Sequence, residues 1–387
     1  MKKLITGCLL LWCSIAAAQQ LSHSDIRISL LTADPGEDIY AVFGHSGVRV
    51  RIDRWDYDVV YNYGTFNFDQ PNFYVNFARG RMLYSLSMPS YDRFVSSYIY
   101  ENRGMREQVF VLDSAQTMYV ARFLENNFLP ENREYLYHFF LDNCATRIRD
   151  IILNVYEGIE VPQTLETPCF RELIHRYLRQ HPWGRFGIDI GLGLPTDQKT
   201  NVFEQMFLPD YLHDVFAKMT HNGQPIVSKT EVVFAPDTYR PPAIVPPGLI
   251  TPMVVCLFVL ILAAMFLHVR RGARIFDFTL FFAAGLTGFL IVFLWFFTEH
   301  TFTKNNLNII WALPTHAVMA FFLLQKRRNE IVRKYFLATA IIAMMLLISW
   351  VFLPQKLNPA LIPLVAALAL RGFRNFRVSP AISHHSS

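Results

Sequence analysis

Gly44-His45-Ser46-Gly47-Val48-Arg49-Val50-Arg51-Ile52 alternates apolar and polar residues after an opening histidine, the pattern of a half-buried strand. A polar turn at 53–56 and a second apolar run at 59–63 complete a hairpin, which puts Asn62 on the strand paired with that of His45. Far downstream, Asp142-Asn143-Cys144-Ala145-Thr146 starts an amphipathic helix over residues 144–156, with Ile148, Ile151, Ile152 and Val155 on one face. A thiol is a nucleophile only as thiolate, and both a helix N-terminus and a nearby imidazole lower its pKa. His45 is therefore the candidate base, Cys144 the candidate nucleophile and Asn62 the candidate orienter of the imidazole, while Asn143 and Ala145 stand at the helix start where an oxyanion would sit. Asp142 is expected to cap that helix.

Of 387 residues 52% are hydrophobic, too apolar for an ordinary soluble chain and long enough for more than one domain. Lys2 and Lys3, an apolar run over 4–15 and Ala16-Ala17-Ala18 form the three parts of a secretory signal, with cleavage expected after Ala18 and an uncleaved anchor as the other reading. The net charge of +5 comes largely from short loops between late apolar segments, so it reflects membrane topology and gives no reason to expect nucleic acid. Cys144 and Cys169 are the cysteines of the exported portion, and a disulfide between them is the structural alternative to catalysis. The CxxC and HExxH spacings of common zinc sites are absent, and neither a metal nor a cofactor is implied.

Residues 19–240 have the composition of a globular exported domain. Strands are expected at 26–31, 48–52, 59–63 and 110–112 and helices at 114–128, 144–156 and 170–180, an α+β class with a small, mostly antiparallel sheet. Residues 183–208, punctuated by Gly and Pro, resist assignment. Prolines make 241–248 a stiff linker, after which apolar runs at 249–267, 276–297, 307–324, 336–353 and 357–370 predict an α-helical transmembrane bundle of about five spans over 249–372, then a tail over 373–387. Arg270, Arg271 and Arg274 follow the first run, Lys326, Arg327, Arg328, Arg333 and Lys334 the third, and Arg371, Arg374 and Arg377 the fifth. With the exported domain outside, these clusters fall in the cytoplasm, where positive charge belongs, and the C-terminus is cytoplasmic.

Within the apolar part, His300 and Asn306 occupy the outer loop between the second and third runs and His316 sits inside the third, where an ionisable group points to function because its burial in lipid is costly. These three, with Arg49 and Tyr63, are possible substrate contacts. Backbone bonding is the competing role for His316, and solvated ion pairing for Arg49, Arg79, Arg81 and Arg103, which could also meet phosphate.

A strand-borne His, a polar residue on the next strand, then Asn-Cys on a helix resembles permuted papain-like enzymes, notably lecithin:retinol acyltransferase-like proteins, in which histidine is common at the place of Asn62. Phe43-Gly44-His45-Ser46-Gly47-Val48-Arg49, Asn62-Tyr63-Gly64-Thr65-Phe66, Asp142-Asn143-Cys144-Ala145-Thr146 and Met206-Phe207-Leu208-Pro209-Asp210-Tyr211-Leu212, with the bundle behind them, resemble still more closely a bacterial lipoprotein N-acyltransferase family. That resemblance implies a permuted papain-like periplasmic domain over 19–240, a multi-pass position in the bacterial inner membrane, and transfer of an acyl chain through a Cys144 thioester. The implied donor is a membrane phospholipid, and the implied acceptor is the α-amino group of a diacylglyceryl-cysteine lipoprotein. A membrane-tethered cysteine peptidase or amidase acting on cell-wall peptides, and a noncatalytic envelope assembly protein, are the competing readings.

Overall fold

A computed structural model describes residues 25–66, 71–163, 166–236, 250–269, 271–326 and 328–377. The expected signal peptide at 1–18, the linker at 241–248 and the tail beyond 377 lie outside the described residues.

The exported domain is built on strands β1 (Ile26–Ala33), β2 (His45–Ile52), β3 (Tyr57–Thr65), β4 (Leu83–Ser87), β5 (Met105–Phe110) and β6 (Glu134–Leu136), with small strands β7 (Ile159–Glu160), β8 (Thr220–His221) and β9 (Gln224–Pro225), and a last long strand β10 (Val227–Phe234). A seven-stranded sheet runs in the order β10-β5-β1-β2-β3-β4-β6, every pairing antiparallel. It is larger than expected, because β4, β6 and β10 carry weak alternation. The strand expected at 110–112 lies upstream, at β5, where Met105, Glu107 and Gln108 are buried between β1 and β10.

Around the sheet lie α1 (Phe73–Arg79), α2 (Tyr91–Tyr100), α3 (Ser114–Phe128), α4 (Cys144–Leu153), α5 (Phe170–Tyr177), α6 (Pro182–Gly191), α7 (Val202–Gln205) and α8 (Pro209–Phe216). One sheet face presents Val48, Val50, Tyr61 and Tyr63 to Ile148, Ile151 and Ile152 of α4, while the other packs Leu31, Ala33 and Val60 on Phe94 and Val95 of α2. Helix α4 thus buries the stripe that its three- and four-residue spacing dictates. The segment that resisted assignment folds into α6, a 3-10 turn at Leu194–Asp197 and α7.

The apolar half comprises α9 (Pro252–Met265), α10 (Ala273–Phe296), α11 (Thr315–Phe321), α12 (Glu330–Ser349) and α13 (Leu361–Phe376). Among the described residues, three helical stretches are long and apolar enough to cross a membrane: Ala273–Phe296, Thr301–Leu324 and Glu330–Phe352. Helix α9, at 14 residues, spans about 21 Å at 1.5 Å per residue, short of the roughly 30 Å hydrocarbon core. Helix α13 carries Arg371 and Arg374. Arg371, expected among loop cations, is instead buried against Asp277 of α10, with Nε–Oδ1 at 2.5 Å and Nη2–Oδ2 at 3.0 Å. Arg328 is likewise buried, bonded to the Asn375 side chain. Gly288 of α10 lies so close to the Ala312 carbonyl that a Cβ there would collide with it, the close approach that small residues permit between membrane helices.

The two halves meet through the formerly unassigned segment. Phe302 stacks on Phe140 (ring centroids 4.3 Å apart) and meets Phe170 edge-on. Asn306 donates to the carbonyls of Ile190 (2.7 Å) and Gly191 (3.1 Å), Asn308 to that of Asp189 (3.0 Å), and Gln355 to that of Leu192 (3.0 Å). Asp189, itself buried, takes Arg171, His175 and Asn358. The Trp183 indole donates to the carbonyl of Ile250.

Candidate active site

Helix α4 begins where Asn143 caps it. Asn143 Oδ1 accepts from the N–H groups of Ala145 and Thr146 (2.9 Å each), and Thr146 Oγ1 returns a bond from the Asn143 N–H, the reciprocal box that fixes a helix start. The Asn143 amide donates to the carbonyls of Phe139 (2.7 Å) and Phe207 (2.8 Å). Its hydrogens are thus spent on the scaffold. Asn143 positions the helix, and the Ala145 N–H is shared between its Oδ1 and the Cys144 sulfur, so among the described residues the main-chain N–H of Cys144 is the helix-start donor left for an oxyanion. Asp142 does not cap; its carboxylate grips Arg147 through two bonds of 2.6 and 2.8 Å, and that guanidinium lies over the Tyr135 ring.

Cys144 and His45 hydrogen-bond to each other, and the other side of the imidazole is fixed by Asn62, with His45 Nε2 to Asn62 Oδ1 at 2.6 Å. Nδ1 is therefore the nitrogen that serves the thiol. Asn62 is held in turn by Thr65 and Ser87, through Nδ2 to Thr65 Oγ1 at 3.4 Å and Thr65 Oγ1 to Ser87 Oγ at 2.7 Å. Gly64, at φ +90°, closes the circle: a Cβ there would stand 3.8 Å from both Cys144 Cβ and His45 Cε1. A side chain would narrow the space beside the sulfur and strain the backbone.

Burial alone would raise the Cys144 thiol, but the charge and hydrogen bond of His45, with the N–H groups of Ser46 and Ala145, outweigh it and hold the thiol below its ordinary value. Burial alone would lower the imidazole, but Cys144 and Asn62 raise it above its ordinary value. Thiolate and imidazolium stabilise each other, which readies the sulfur to attack a carbonyl.

Of the groups that wall this pair, the sequence singles out only Arg103, and as a phosphate contact or ion-pair partner rather than a neighbour of the site. The Tyr98 ring lies nearly parallel to His45 at 6.3 Å, Phe94 sits at 6.4 Å, and the Arg103 guanidinium lies over the Tyr98 ring. Tyr137 stands close enough for the thiolate charge to help burial raise its hydroxyl. Nothing in local periodicity marks these residues.

The remaining expected contacts are placed elsewhere. Arg49 is buried between Asp58 (Nε–Oδ1 2.8 Å) and Glu107 (Nη1–Oε2 2.8 Å) under the Tyr91 ring. Tyr63 is a core residue whose hydroxyl donates to Asn127 at 2.8 Å. Asn306 spends its amide on the contact between the halves. His316 is buried in the bundle, bonded to Tyr335 at 2.8 Å and edge-on to Phe281. His300 Nε2 meets the Phe77 carbonyl at 3.2 Å and so fastens α1 to the end of α10. Cys144 and Cys169 are both free thiols; Cys169 caps α5, 3.9 Å from Lys356 Nζ. The disulfide reading has no support in this arrangement.

Residues 15–177 match the family model of the Lnb N-terminal periplasmic domain, and residues 245–380 match that of the Lnb transmembrane domain. In series, the two matches support an Lnb-like membrane protein with a periplasmic domain. No curated protein and no solved structure matches the chain.

Proposed function

We propose that this chain, with its periplasmic and transmembrane Lnb domains in series, is a lipoprotein N-acyltransferase of the bacterial inner membrane. Its C-terminus lies in the cytoplasm and all five helices of the apolar half cross the bilayer, α11 as part of the Thr301–Leu324 stretch and α9 and α13 with the help of their neighbours. The observation that carries the reading is the Cys144–His45–Asn62 set, a lowered thiol at a helix start beside an imidazole held by asparagine. That set is the one papain-like enzymes use, which is the basis for assigning the periplasmic domain to a permuted papain-like fold.

The Cys144 thiolate attacks an ester carbonyl of a glycerophospholipid, forming a C–S bond while the carbonyl π pair moves to oxygen beside the Cys144 N–H. Collapse breaks the ester C–O bond, and the His45 imidazolium gives its proton to the departing lysophospholipid. The α-amino group of a diacylglyceryl-cysteine lipoprotein then attacks the thioester, His45 takes the amine proton, and the thiolate leaves. Donor and acceptor are both anchored in the bilayer, so fixing the thiol domain on the helices raises its effective concentration there.

Mass spectrometry of lipoprotein N-termini tests the assignment in cells whose sole such enzyme carries Cys144→Ser. Diacylated lipoproteins are expected. Triacylated ones would remove Cys144 from the reaction, and cleavage of cell-wall peptides by the purified wild-type protein would favour a peptidase or amidase.

A further inference from the structure

The periplasmic end of α10 and helix α1 enclose a cleft of about 690 Å³. One wall is Tyr74, Val75 and Ala78 of α1; the other is Phe293, Phe296 and Phe297 at the close of α10. The seam is fastened rather than loosely apposed: the Glu299 N–H donates to the Arg79 carbonyl at 2.9 Å, His300 meets the Phe77 carbonyl, and the Arg81 guanidinium pairs with the Glu299 carboxylate at 2.7 Å. Tyr74, Phe77, Phe296 and Phe297 are nevertheless exposed, each with more than half of its surface open (82%, 59%, 67% and 64%). Aromatic surface of this kind, at the mouth of a helix that enters the bilayer, belongs at the level of lipid headgroups.

Charge selects the occupant. Arg81 is neutralised by Glu299, whereas Arg79 is exposed at the rim and makes no ion pair among the described residues. The cleft therefore offers apolar walls for a chain and one unspent guanidinium for a phosphate. A chain of ring contacts also leads from helix α1 toward the thiol site. Phe77 stacks on Phe73 (6.5 Å), Phe73 faces Phe66 (6.4 Å), Phe66 meets Tyr84 (5.3 Å), and Tyr84 stacks on Tyr137 (4.2 Å), the tyrosine that feels the Cys144 charge.

We infer that this cleft is the landing site of a glycerophospholipid from the periplasmic leaflet, its phosphate on Arg79 and one acyl chain between α1 and the end of α10. As a lipid site it stands on its own geometry. That the bound lipid is the acyl donor rests on the acyltransferase reading above.

The test uses full-length protein in mixed micelles with a phosphatidylethanolamine that bears a diazirine at the end of one acyl chain, and maps photolabel by peptide mass spectrometry. Label is expected on α1 and on residues 293–297. Arg79→Glu should cut it about ten-fold, the loss of one charge-assisted contact, and Arg79→Gln should cut it less. A diacylglycerol with the same diazirine chain, lacking phosphate, should label these residues weakly in both the wild type and Arg79→Glu. Label spread evenly around the bundle, or unmoved by Arg79→Glu, overturns the inference. So does label displaced by a diacylated lipopeptide but not by unlabelled phosphatidylethanolamine, which would make the cleft the acceptor's. Cys144→Ala should keep the label. Groove labelling in a wild-type protein that never carries acyl on Cys144 would leave the lipid site standing and remove the acyltransferase reading instead.

Discussion

In the proposed site three groups around Cys144 each act on one atom: His45 on the thiol proton, Asn62 on Nε2 of the imidazole, and the helix start on the sulfur charge. Cys144→Ser and His45→Ala are each expected to lower N-acylation by about 10³-fold or more while the protein still inserts, read from lipoprotein mass spectra and membrane fractions. Cys169→Ala should be mild, since that thiol lies beside Lys356 and Glu172 at the start of α5, apart from the His45 pair. The pH dependence of thioester formation follows from the shifted pair. The thiol is lowered, so the thiolate is present above its pKa and lost as pH falls through it; the imidazole is raised, so its proton is present below its pKa and lost as pH rises through it. A bell is predicted, and because the Asn62 bond helps to raise His45, Asn62→Ala should move the alkaline limb to lower pH. An unmoved limb would detach Asn62 from the base. Gly64→Ala should cost about 1–3 kcal/mol through its positive φ, read as a fall in the thermal unfolding midpoint.

Helix α4 was legible because its signals are local: an apolar stripe every three or four residues and an Asn-Cys start. The β2–β3 hairpin was legible for the same reason, and its register, Val48 opposite Tyr61 and Val50 opposite Val59, sets His45 and Asn62 on one face. Which residue caps the helix was not legible, since Asp142 and Asn143 are both good caps; the choice came from the Phe139 and Phe207 carbonyls, which need the amide donors that only Asn143 has. Asn143→Asp should therefore be worse than capping preference alone suggests, because it sets a carboxylate against two carbonyls, and Asn143→Ala should cost about 1–2 kcal/mol from the cap plus the two stranded acceptors. Thermal unfolding followed by tryptophan fluorescence orders the two. Helix α6 hid for a different reason. Its residues Gly184, Gly187 and Gly191 are poor helix formers, and what stabilises it is the other half of the molecule, through Asn306, Asn308 and Gln355 at its C-terminal end.

At the scale of the whole molecule, two buried polar contacts hold the structure together, one between the thiol domain and the helices and one inside the helical bundle. The first is the buried contact between halves, in which the Ile190 and Gly191 carbonyls lose the Asn306 amide if Asn306 becomes leucine; Asn306→Leu should expose α6 to limited proteolysis and lower acylation while sparing Cys144 labelling by a small iodoacetamide. The second is the Asp277–Arg371 pair. Breaking it by Arg371→Leu strands a buried carboxylate, at a cost of about 3–5 kcal/mol, and the exchange Asp277→Arg with Arg371→Asp should recover part of that loss in a heat-stability assay. Hydropathy located the apolar runs but could not show that two of the basic residues closing them, Arg328 and Arg371, are internal bonds rather than loop charges. The central claim is that Cys144 stores an acyl chain between two lipid substrates. Its most direct test is intact-protein and peptide mass spectrometry after purified enzyme is given phospholipid and no lipoprotein. An acyl adduct confined to Cys144, released by hydroxylamine and discharged onto an added diacylated lipopeptide, is the predicted result; transfer of acyl to that lipopeptide with no adduct on Cys144 at any time would contradict it.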